Sequence, residues 1–147
     1  MIQYRIIRIA GLHYSSAIHS LYTQTPALAQ KPYTEQQKKL FQGAYTYGDS
    51  FSWGMRSLGH ESAEIVYDLE PMQKAWAEEH LIRYRSSHWQ WDILLSQIEK
   101  MRPDILYFQD LHSLPLSLQK GLKSRFPFLK LVVIFRWFPG TTVECSP

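Results

Sequence analysis

Apolar residues recur along this chain in two rhythms, and the alternation between them predicts the fold. Short runs rich in isoleucine, valine and leucine stand at Tyr4–Ala10, Glu64–Tyr67, Asp104–Phe108 and Leu131–Phe135 and read as strands. Between them the apolar positions fall three and four apart, the repeat of a helix face. Ser15–Gln24 carries Ile18, Leu21 and Tyr22 at such spacings. Thr34 and Gln37 form a capping box ahead of a helix through Phe41. Asp49 or Ser50 caps another helix, through Trp53 to Leu58, with Gly59 as its natural C′ residue. Pro71 suits the first turn of a helix with Met72, Ala75 and Trp76 on one face. Trp91, Leu94, Leu95, Ile98 and Met101 form the clearest stripe, stopped by Pro103. Leu114, Leu118, Leu122 and Phe126 make the face of a last helix. Lys120, Lys123 and Arg125 sit toward its C-terminus, where the macrodipole favours cations.

Strands alternating with helices imply an α/β fold. The runs Ile105–Phe108 and Leu131–Phe135 are continuously apolar, the pattern of strands buried on both faces of a parallel sheet. The expected architecture is a Rossmann-like open parallel sheet with helices on both faces. Arg5 and Arg8 interrupt the apolar run of the first strand. Residues 1–136 read as one domain. Residues 137–147 contain Pro139, Gly140 and Pro147 without periodicity, and read as an irregular tail not native to the fold. A crossover helix is expected after a central strand, so the sheet reads as truncated after the fourth.

Composition narrows the function classes. At 147 residues, with 45% hydrophobic and 20% charged, the chain suits one globular domain. The 14% of aromatic residues predicts a sizeable core or a partner surface. The net charge of +3 comes from scattered basic residues without a patch or stripe, which argues against a nucleic-acid partner. Cys145 is the one cysteine, so an internal disulfide and a thiolate metal site are excluded. None of the six histidines has zinc spacing, and no metal is expected. The turn after the first strand, Ala10–Ser16, has the single glycine Gly11, which argues against a dinucleotide cofactor. No P-loop occurs, and the reading includes no cofactor. No apolar run approaches the roughly 20 residues of a membrane span, and there is no signal-peptide core. A cytoplasmic location is expected.

Open α/β sheets bind ligands outside the carboxyl ends of their strands. The first such end carries His13, Tyr14 and Ser15, and the third carries Gln109, Asp110 and His112. Asp110 or His112 could serve as base for an acceptor hydroxyl, with the other four residues binding that acceptor. The plainer alternative is that Asp110 and Ser113 only initiate the next helix. Gly48-Asp49-Ser50-Phe51 also matches the start of a GDS-type serine hydrolase site, with Ser50 as nucleophile. A helix cap explains the same residues, and Asp110-Leu111-His112 lacks the two-residue gap of that family's acid–base pair. Tyr45, Tyr47, Phe51 and Trp53 could stack on sugar faces, with core packing the favoured role for Phe51 and Trp53.

The succession Tyr22–Leu28, Tyr33–Gln37, Asp49–Trp53, Leu58–Glu61, Glu70–Ala77 and Arg102–Asp110 resembles the N-terminal domain of bacterial glycosyltransferases of the GT-B fold, near the CgeB-like spore-maturation group. The resemblance covers roughly residues 2–136 and rests on order and spacing. It implies two Rossmann-like domains facing across a cleft, with a sugar acceptor on this half and a nucleotide-sugar donor on the absent C-terminal half. His13–Ser15, Asp110 and His112 map onto its cleft. The expected function is that of a hexosyltransferase fragment, inactive alone. The alternatives are a stand-alone Rossmann-like interaction module, self-associating through uncovered sheet, and the GDS-type hydrolase.

Overall fold

A computed structural model of the chain describes residues 2–11, 15–43, 48–109 and 115–135, with the side chains of residues 15–19 and 116 left aside. The elements run β1 (Arg5–Ala10), α1 (Ser15–Gln24), α2 (Tyr33–Gln42), α3 (Ser50–Ser57), β2 (Glu61–Val66), α4 (Glu70–Glu79), α5 (Trp89–Met101), β3 (Ile105–Phe108), α6 (Leu116–Arg125) and β4 (Leu131–Ile134). All four strands are parallel, in the order β2-β1-β3-β4. The fold is α/β, a Rossmann-like open sheet flanked by helices.

Parallel register decides which residues share a face. Ile7, Ala63, Leu106 and Val132 are register partners, as are Ile9, Ile65, Phe108 and Ile134. They point to one side, where the Leu94, Leu95 and Ile98 stripe of α5 and Leu122 of α6 close the main core. Arg8, Glu64, Tyr107 and Val133 point to the other side. There α3 lies over β1 and β2, and a second core joins Val66 to Leu21, Leu28, Leu40, Leu69 and Met72.

The helix ends follow local chemistry, with two corrections. α3 closes in a Schellman motif: Gly59 sits at φ +88, its N–H bonds the Arg56 carbonyl, and the His60 N–H bonds Met55. α5 ends on Arg102 in the left-handed region, with Pro103 next. The Thr34–Gln37 capping box does not form. Pro32 occupies the cap of α2, and the Gln37 amide is drawn to the Glu64 carbonyl of β2 at 2.9 Å instead. β2 begins at Glu61, not Glu64. Glu61 and Ser62 lie on an edge strand where apolar residues are not required, so the hydrophobic pattern starts late. Two-sided burial also fails at β4, where Leu131 and Val133 are 49% and 38% exposed. It is an edge strand, and only its Val132–Ile134 side packs on the core.

Arg5 does not disrupt β1. Its Nε donates to Glu61 at 2.7 Å, its backbone N–H to Asp104 at 2.8 Å, and Asp104 pairs with Lys130 at 2.8 Å. One charged residue from the start of each strand is thereby tied to its neighbours.

Candidate functional site

Strand order fixes where a ligand crevice can form. The chain passes from β1 to β2 on one side, then crosses to β3 and β4 on the other. The switch point therefore lies between β1 and β3, which are hydrogen-bonded neighbours. Two loops leave their carboxyl ends on the same edge. The Gln109 N–H donates to the Ile9 carbonyl at 2.9 Å, locking the start of the second loop beside the end of β1. Gln109 is half-buried there. Ser15 opens α1 across this edge. His13, Tyr14, Asp110 and His112 lie outside the described residues, as do Tyr45 and Tyr47. What the structure brings together is the ends of the two strands, Ile9 and Gln109.

A third group at this edge escaped the sequence reading. A Cβ on Gly11 would stand 2.8 Å from Tyr67 Cε1 and 3.1 Å from Asp68 Oδ2. Gly11 thus lets the end of β2 close against the end of β1. Buried Tyr67 stacks on Trp91 at 5.4 Å, which holds this corner. The half-buried Asp68 follows β2 directly, and its place after a strand was the available signal.

The chemistry lower on the sheet is different. Arg8 Nε lies 3.2 Å from Glu64 Oε2, with the two side chains 8% and 4% exposed. The Ser52 N–H donates to Glu64 Oε1 at 3.0 Å. Phe51 lies under the Arg8 guanidinium at 5.8 Å and stacks on Tyr107 at 5.1 Å. Burial pushes the Glu64 carboxyl above its ordinary range, against the opposing pull of Arg8. A cavity of about 470 Å³ is lined by Glu64, Ser52, Asp49, Arg56 and Gln37. Arg8 shows in the sequence only as an interruption of β1, and its pairing with Glu64 is hidden there, because 56 residues separate them and only the β1–β2 register makes them partners.

Several other expectations meet the structure here. Trp53 is 66% exposed, so it does not pack the core, whereas Phe51 is half-buried in the stack just described. Asp49 caps α3 by position only, without a side-chain bond to the helix, and Ser50 is exposed in its first turn. Among the described residues no group of histidine, cysteine or carboxylate side chains could hold a metal ion, and no helix is long and apolar enough to cross a membrane.

No family model, curated protein or solved structure matches the chain. Function is therefore read from the site itself.

Proposed function

We propose that the chain is the acceptor-side half of a sugar-nucleotide-dependent glycosyltransferase, binding a hydroxyl-bearing sugar in the crevice between β1 and β3. The observation that supports this reading most is the switch point: β1 and β3 are parallel neighbours, and the Gln109 N–H donates to the Ile9 carbonyl where the two strands end. In this reading Asp110 or His112 takes the acceptor proton, and the other residues position the hydroxyl. The nucleotide-sugar donor would sit on a second Rossmann-like half, so the chain alone transfers nothing, because transfer requires both reactants held together.

A second reading, a stand-alone interaction module, is favoured by the exposed apolar strip of Leu131, Val133 and Phe135 at the β4 edge. The hydrolase alternative requires Ser50, which is exposed at the start of α3, as nucleophile.

An NMR titration of the labelled chain with a panel of methyl glycosides, alongside a sugar-transfer assay, separates the three. The glycosyltransferase reading predicts saturable shifts at Gly11 and Gln109 and no transfer. Shifts confined to β4 that depend on protein concentration would replace it with the module. Ester hydrolysis abolished by Ser50→Ala would replace it with the hydrolase.

A further inference from the structure

The hydrogen-bond pattern of β4 leaves its outer edge open in a symmetric way. The Phe135 N–H donates to the Phe108 carbonyl at 2.9 Å, so residues 131, 133 and 135 turn their backbone groups toward β3. Alternation along the strand turns the N–H and C=O of Val132 and Ile134 outward, where no bond meets them among the described residues. We propose that a second copy of this chain pairs there, β4 against β4, antiparallel about a two-fold axis at Val133.

The strand is complementary to itself. The axis sets Val132 opposite Ile134 of the second copy, and Ile134 opposite its Val132. Each pair exchanges both backbone bonds, which satisfies every outward group. A slip of one residue would set outward groups against inward ones, so the register is specified. The side chains agree. Leu131, Val133 and Phe135 share one face and are 49%, 38% and 40% exposed. The same axis sets Val133 beside its own counterpart and Leu131 beside Phe135, so the two apolar strips join into one. On the other face Val132 and Ile134, half-buried against the main core, meet their counterparts across the junction.

Nothing in the strand opposes such pairing. Monomeric folds protect an edge with a proline, a bulge or an inward-pointing charge. Residues 131–135 contain no proline and no charge, and the register with β3 is unbroken. The Lys130 charge is matched within its own copy by Asp104 at 2.8 Å. The β2 edge, by contrast, is sealed by its own chain, through Gln37 on the Glu64 carbonyl and Gln73 on that of Val66. A two-fold contact at one open edge closes on itself, so association stops at the dimer. The strand ends at Ile9 and Gln109 take no part in the pairing, so the inference stands with either reading of function.

The test combines sedimentation with disulfide trapping on the full chain, without glycoside. Sedimentation velocity over about a hundredfold range of concentration should show a reversible monomer–dimer equilibrium and nothing larger. Val133→Lys brings two ammonium groups together at the axis and should weaken the dimer about tenfold or more. In a Cys145→Ser background, Val133→Cys meets its counterpart in a non-hydrogen-bonded pair, with about 4.5 Å between Cα atoms, and should cross-link under mild oxidation. Leu131→Cys faces Phe135 instead and should not. The proposal is overturned by a chain that stays monomeric throughout, by association that Val133→Lys leaves unchanged, or by Leu131→Cys cross-linking as readily as Val133→Cys. Strong exchange protection of the Val132 and Ile134 amides at the lowest concentration would also overturn it, by assigning the edge to another part of the same chain. Glycoside binding at Gly11 and Gln109 is read separately, so either proposal can fail without the other.

Discussion

The two edges of the sheet meet their surroundings in opposite ways. At β2 the carbonyls of Ser62, Glu64 and Val66 face away from β1, and each accepts a side-chain bond: from Arg56 at 2.9 Å, Gln37 at 2.9 Å and Gln73 at 2.8 Å. Three helices thus contribute one donor each to a strand edge that would otherwise recruit another strand. At β4 no side chain among the described residues does the same, and Leu131 and Val133 are exposed beside it. The difference teaches how an edge strand is made permanent. Polar residues at β2 are held inside the fold, whereas apolar residues at β4 are left outside it.

The largest effect should come from the polar interior of the β2 side. Glu64→Gln removes the carboxylate paired with buried Arg8, and should cost about 3–5 kcal/mol in urea unfolding. The double replacement Arg8→Met with Glu64→Leu should recover most of that loss, because removing both charges also removes both desolvation costs. A double variant no more stable than Glu64→Gln would show that the pair is not the reason.

Next in size is the capping of the edge. Gln73 is fully buried, and Gln73→Met strands the Val66 carbonyl, an expected loss of about 1–3 kcal/mol. At the opposite edge, Val133→Lys should change stability by less than about 0.5 kcal/mol. It should nevertheless reduce any concentration-dependent association seen by sedimentation velocity. Gly11→Ala matches Gln73→Met in size, because its Cβ meets the Tyr67 ring; overpacking of that kind costs about 1–3 kcal/mol.

The smallest effects are those of pH. The Arg85 guanidinium holds the Asp92 carboxyl down at about 2, from an ordinary 3.8. A depressed carboxylate stabilises the fold above its unfolded pKa and loses that contribution as pH falls through its folded value. Asp92 should therefore add to acid destabilisation between about pH 4 and pH 2. Screening of the exposed Arg85 keeps this at or below about 1 kcal/mol. Asp104 is lowered too, first by the Arg5 backbone N–H and then by Lys130, and acts with the same sign. Asp92→Asn should flatten the acid limb of the stability curve slightly, measured as urea midpoint against pH.

What the sequence made legible follows the same division. The last two strands are apolar throughout, so their runs announce them, and the α5 stripe announces the helix that covers them. The first half of β2 is hidden, because Glu61 and Ser62 carry no apolar signal and join the strand only by pairing with Arg5 and Ile6. The Thr34–Gln37 signature misleads because Gln37 has a better partner across the fold than within its own helix. That the carboxyl ends of β1 and β3 share one edge could be anticipated from a parallel sheet. The closeness of Gly11 to Tyr67 and Asp68, and the Arg8–Glu64 pair, needed the strand order first.

Amide hydrogen exchange tests the contrast between the edges most directly. The account predicts that Ala63 and Ile65 of β2 exchange only through near-global unfolding, while Val133 and Phe135 at β4 exchange much faster through local opening. Equal protection at the two edges would contradict it.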